Sequence, residues 1–136
     1  SVGHERARMI AGIGTDIVAV ARIGETFARQ GERFLQKLLS DAEQIEFRDV
    51  AAKDASAWLA KRWAAKEAFG KAAGTGVRAP LTLAGIGIGH DAEGRPLFEL
   101  SDAVQSYLRA KGIARTHLSI SDEREFAVAF VIFERE

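Results

Sequence analysis

The alternation of apolar and polar positions near the start of the chain predicts a strand. From Met9 onward, Ile13, Thr15 and Ile17 alternate with Gly14, Asp16, Val18 and Val20, the two-residue period of extended chain. The period then lengthens. Residues 22–30 read as a helix that stops at Gly31, and Phe34, Leu35, Leu38 and Leu39 carry a second helical stripe. Ser40-Asp41-Ala42-Glu43 fits a capping box, with Ser40 as the cap and Glu43 at the third helical position. Asp54 or Ser56 opens a long helix of alanines and aromatics that ends near Gly74 and Gly76. Residues 81–89 predict a strand, 91–96 a turn and 97–100 the returning strand. Ser101 caps a further helix through Lys111, stopped by Gly112, and strands over 116–121 and 126–133 follow, joined by 122–125. The pattern is one α+β domain over residues 9–136, a largely antiparallel sheet packed against the long helix, with no internal repeat or linker. The last strand is apolar on both faces, so one face buries against helices and the other is either a second core layer or a subunit contact.

Two acids stand out from this frame. On the long helix, residues four apart lie one above the other, so Trp63, Glu67, Lys71 and Gly74 form a column that presents an acid and a base together. A carboxylate one turn before a lysine could bind a metal while the ammonium grips a phosphate; it is equally a helix salt bridge of about 0.3–0.5 kcal/mol. Asp16 is the second acid. It shares a strand face with two valines, and a buried carboxylate must be paired or bound to a cation. It is either held by a lysine or backbone N–H groups, or it is a metal ligand whose flanking glycines let another group come close.

Composition narrows the classes. The 136 residues suit one domain with a modest core. No apolar run reaches the length of a membrane span. Nineteen basic residues balance nineteen acidic ones, so no overall field argues for nucleic acid. The chain has no cysteine, which excludes disulfides and thiolate metal sites and fits a cytoplasmic location. Ser1 to Arg8 lack the apolar stretch of a secretory signal and are set aside as an appended or natural N-terminal extension, residues 1–8. The glycine-rich candidates fail. Gly12-Ile13-Gly14 continues to Ile17 rather than a third glycine, and Gly85, Gly87 and Gly89 alternate within a predicted strand, not a phosphate-cradling turn. With no Walker lysine and no paired-histidine zinc motif, phosphate handling falls to a metal and basic side chains.

Gly12-Ile13-Gly14-Thr15-Asp16-Ile17-Val18, followed by Arg22, resembles the opening motif of the holo-acyl-carrier-protein synthases, the small 4′-phosphopantetheinyl transferases. Residues 60–68 with Lys71 and Gly74-Thr75-Gly76 resemble the family's second motif, and His117-Leu118-Ser119-Ile120-Ser121 the third, in the family's order and with similar spacing. The resemblance implies transfer of 4′-phosphopantetheine from coenzyme A to a serine of apo-acyl carrier protein, in support of fatty acid biosynthesis. It implies magnesium on Asp16 and Glu67, with Lys71 neutralising charge on the pyrophosphate. Glu67 is also the candidate base, directly or through a bound water. Arg62 and Lys66, on the stripe beside Glu67, either meet other phosphates of coenzyme A or are solvated. The resemblance makes His117 a nucleotide-phosphate contact across a subunit boundary, in a homotrimer with active sites between subunits. Arg22 matches a family arginine for docking the acidic carrier; Arg29 and Arg33 either extend that face or are simply solvated, and Phe27 is either its apolar centre or core. Many members carry histidine where this chain has Asp122, which weakens any catalytic role for that position.

Two other classes use the same residues. A metal-dependent phosphohydrolase would use both acids and release phosphate with no carrier present. A non-catalytic oligomeric binding module would keep Glu67–Lys71 only as a salt bridge.

Overall fold

The computed structural model describes residues 9–136, so the extension assigned to residues 1–8 lies outside the described residues. The elements run β1 (Met9–Ala19), α1 (Val20–Gln30), α2 (Glu32–Leu38), α3 (Asp41–Phe47), α4 (Ala55–Ala73), β2 (Ile86–His90), β3 (Pro96–Leu100), α5 (Asp102–Ala110), β4 (Ile113–Asp122) and β5 (Phe126–Arg135). A single 3₁₀ turn, Ala52–Asp54, leads into α4. Every strand pairing is antiparallel: a three-stranded sheet in the order β1-β5-β4, and a separate β2-β3 hairpin. The α+β expectation holds, with the strands divided between two sheets rather than one.

Helix α4 is the axis of the molecule. Alanine dominates it, and Ala60, Ala64, Ala65 and Ala68 are all fully buried, so other elements can pack close on several sides at once. Phe69 joins it to both sheets through edge-to-face contacts with Phe98 and Phe133, each at 4.8 Å between ring centres. The helix ends at Gly74, whose φ of 81° lies in the left-handed region, the C-terminal stop that glycine adopts without steric cost.

Strand β1 meets α4 backbone to backbone. A Cβ built on Gly14 would sit 1.9 Å from the Ala68 carbonyl oxygen, and one on Gly12 2.0 Å from that of Ala72. The two glycines, opposed to two helix alanines, are what let the helix lie down on the strand. The capping box at Ser40 and Glu43 forms as expected, and Ser101 caps α5. Val20, assigned by its alternation to β1, is instead the first residue of α1, where its N–H bonds Glu125 O at 2.9 Å.

The expected strand over 81–89 is shorter, Ile86–His90. Leu81 and Leu83 are buried like strand residues, yet their backbone turns, with Leu81 N–H bonding Arg78 O and Gly85 N–H bonding Thr82 O. Alternating burial alone does not separate the two cases.

Candidate active site

The inner face of β1 and the exposed edge of α4 bring Asp16, Glu67 and Lys71 into one corner. Asp16 follows the inward-facing Gly14 by two residues, so its side chain emerges toward α4 just beyond the close contact. Lys71 Nζ reaches Asp16 Oδ1 at 3.0 Å, with Asp16 largely covered and Lys71 half exposed. Glu67, one turn before Lys71, is partly buried. Burial first, and the Asp16 carboxylate second, push its carboxyl above the ordinary value; Lys71 and Arg22 pull the other way. Arg22 is therefore close enough for its charge to act on Glu67, from an exposed position on α1. The column read from the sequence holds, and Trp63 at its far end stacks on Phe34 with ring centres 6.2 Å apart.

Arg62 and Lys66 do not join this corner. They lie on the buried stripe of α4 with Leu59 and Phe69, and Lys66 is fully enclosed. Lys66 Nζ donates to Glu43 Oε1 at 2.6 Å and to the carbonyl of Leu38. Arg62 Nε stands 3.6 Å from Glu43 Oε2, and its guanidinium lies 3.5 Å over the Trp58 ring. Burial, against the pull of Glu43, lowers Lys66 to about 8. The expected placement of Arg62 and Lys66 beside Glu67, toward phosphates or solvent, is corrected by this geometry: both are buried, Lys66 committed to Glu43 and Leu38, and Arg62 to Glu43 and Glu46. Sequence reading took Glu43 only as a helix cap. The available signal was the spacing of Leu59, Arg62, Lys66 and Phe69, which puts both cations on an apolar stripe in need of a buried acid.

His117 is also apart from the corner. It pairs with Ile132 across the sheet, and Asp16 pairs with Ala129, so the two side chains lie on opposite faces. His117 Nε2 meets Glu134 Oε1 at 2.7 Å on the outer face. That face is apolar in its centre, with Ile13, Ile17, Phe126, Phe130 and Ile132 exposed. Arg29 and Arg33 are exposed, whereas Phe27 packs edge-to-face on Phe47 against the core. Asp122 ends β4, exposed and paired with Ala127, on the same sheet face as Asp16. Among the described residues no helix is long and apolar enough to cross a membrane.

The sequence profile of the 4′-phosphopantetheinyl transferase superfamily matches residues 12–131. A holo-[acyl-carrier-protein] synthase from Laribacter hongkongensis is 52% identical over 126 residues, 93% of this chain and 99% of that protein. The crystal structure of the holo-[acyl-carrier-protein] synthase from Neisseria meningitidis superposes with a TM-score of 0.89 at 45% identity, covering 93% of this chain and all of the other. The Helicobacter pylori synthase in complex with coenzyme A superposes with a TM-score of 0.76 at 33% identity, covering 89% of this chain and 98% of that one. Fold, motifs and relatives agree along nearly the full length, and this chain belongs to the 4′-phosphopantetheinyl transferase superfamily.

Proposed function

We propose that this protein transfers 4′-phosphopantetheine from coenzyme A to a serine hydroxyl of an apo-acyl carrier protein, giving the holo carrier and adenosine 3′,5′-bisphosphate. The observation that carries the reading is the convergence of Asp16, Glu67 and Lys71 in one accessible corner of a fold whose relatives are synthases of this kind.

The donor set suits magnesium. That ion takes one or two carboxylates, keeps several waters and accepts substrate phosphate oxygens. Asp16 and Glu67 are the two carboxylates, and no group of three or more His, Cys, Asp or Glu exists among the described residues to favour a softer or fully protein-ligated metal. Burial first and the Asp16 carboxylate second raise Glu67, and Lys71 already holds a cation against Asp16. Asp16 and Glu67 would hold the ion; when bound, it polarises the pyrophosphate and stabilises the leaving phosphate.

The remaining work belongs to the chain. Lys71, half exposed at the mouth, places its ammonium against charge that builds on the pyrophosphate oxygens. Glu67 is the base for the serine proton, directly or through a bound water. The serine oxygen bonds to the phosphorus that bears pantetheine, while the bond from that phosphorus to the bridging oxygen breaks and the bridging oxygen leaves with the adenosine bisphosphate. Arg22, exposed beside Glu67, orients the acidic carrier so that its serine enters next to the base.

The exposed apolar outer face supports a homotrimer with active sites between subunits. His117 stands on that face, so in such an assembly it would meet the nucleotide phosphates of a neighbour's coenzyme A. The cysteine-free composition supports a cytoplasmic location.

The test is the intact mass of an apo-acyl carrier protein incubated with this protein, coenzyme A and magnesium, beside a chelator control. The expected result is a metal-dependent gain of one phosphopantetheine group. No gain on a carrier that another transferase can load would overturn the reading.

A further inference from the structure

We propose that Glu43 is a positioning residue for the metal pair. This inference rests on the reading of Asp16 and Glu67 as magnesium ligands. Its carboxylate, about 1% exposed, is a node of four elements. Oε1 accepts from the backbone N–H of Ser40, which caps α3, and from Lys66 Nζ of α4. Oε2 accepts from the backbone N–H of Ile88 in β2 at 3.2 Å and faces Arg62 Nε of α4. Lys66 also donates to the Leu38 carbonyl at the end of α2. Every tie to α4 lands on Arg62 or Lys66, and Lys66 immediately precedes Glu67.

That adjacency makes the node consequential. On its other side α4 meets β1 backbone to backbone, Ala68 and Ala72 against Gly14 and Gly12, with Phe69 packed on Phe98 and Phe133. Small side chains allow close approach but offer few steric teeth to resist slide or roll along the strand. The Glu43 node therefore adds a polar anchor against roll of α4, beside the aromatic contacts of Phe69. Successive helix residues are about 100° apart around the axis, so holding Lys66 toward Glu43 holds Glu67 toward Asp16. Arg62 Nε, buried with no hydrogen-bond partner, indicates that the node is arranged around Lys66, with Arg62 as an added charge. A merely stabilising ion pair would have no need to engage the residue next to the metal ligand, nor to tie it to three other elements.

The test is direct titration of manganese, as a spectroscopic substitute for magnesium, into the full-length protein. Coenzyme A binding without metal and thermal melting are measured on the same samples. Two variants are compared with the wild type. Glu43→Gln with Lys66→Met removes both charges and keeps the volume. Glu43→Asp keeps the charge and loses one methylene of reach, so it stays folded if the neutral pair does not. The expected result is manganese binding weakened about tenfold or more with metal-free coenzyme A binding within about twofold, since loss of a group that orients metal ligands costs about ten- to a hundredfold in metal affinity. Conservative loss of reach then has the larger effect on metal binding than on melting temperature. Wild-type manganese affinity in either variant, once folded, would overturn the proposal. Asp16→Asn is titrated alongside. If it too binds manganese normally, the metal pair itself is wrong; if only Asp16→Asn loses the ion, the pair stands and the positioning role falls.

Discussion

A single carboxyl carries the sharpest consequence at the residue scale. Glu67 holds its proton more tightly in the folded protein than in the unfolded chain, because burial and then Asp16 disfavour its charge. Unfolding therefore releases a proton, and this contribution to stability falls as pH rises from the unfolded value of about 4.5 through the raised folded value. Above that window the metal-free protein carries the whole penalty. Glu67→Gln is expected to raise the melting temperature of the metal-free protein at pH 7.5 and to flatten this part of its pH dependence, with transfer abolished. Magnesium at about 100 times its dissociation constant stabilises the wild type by about 2.7 kcal/mol and the variant by far less. A metal-free variant that melts below the wild type at neutral pH would show that the acid is not under this strain. Lys66 differs in kind: its lowered value reports enclosure, not work at the site.

At the scale of elements, the decisive junction is β1 against α4. Gly14→Ala places a methyl 1.9 Å from a backbone carbonyl that cannot turn aside. The expected cost is about 3 kcal/mol, the upper part of the usual overpacking range, and a loss of about a hundredfold in transfer as Glu67 moves from Asp16. Gly24→Ala is the control. Its nearest neighbour is the Ser56 hydroxyl at 2.5 Å, a side chain free to rotate, so both denaturant stability and turnover should change little. Equal effects of the two substitutions would refute the argument from backbone contact. Much of this junction was legible in the sequence, since Gly12, Gly14 and Asp16 alternate on one strand face and Glu67 and Lys71 sit one turn apart. The capping box at Ser40 was legible too, because its residues are local. What could not be read was the partner of Lys66. A lysine beside an acid at the site looks solvated until its side of the helix is seen to be covered, and Glu43 is 23 residues away. The start of β2 was misread for a similar reason, as Leu81 and Leu83 are buried from turns rather than from a strand.

For the whole molecule, the sheet has one face filled by α4 and another that no element among the described residues covers. Ile13 and Ile17 of β1 are 62% and 64% exposed, and Phe130 of β5 is 54% exposed, a continuous apolar surface of the kind that marks association. The wild type is expected to sediment as a trimer. Phe130→Glu should give a monomer of unchanged circular dichroism that has lost most transfer activity, if His117 serves a neighbour's site as proposed. A monomeric variant with full activity would show that one protomer holds a complete site. The glycine–alanine seam has a further bearing on how such a protein can change. Where α4 lies on β1 there is no rotamer to adjust and no methyl to trim, so the distance of closest approach between helix and strand has almost no soft degree of freedom. If Arg22 docks the carrier as proposed, adaptation to a different carrier falls to the exposed outside of α1, where side chains can be exchanged one at a time. The chemistry stays inherited, and the choice of client stays open to drift.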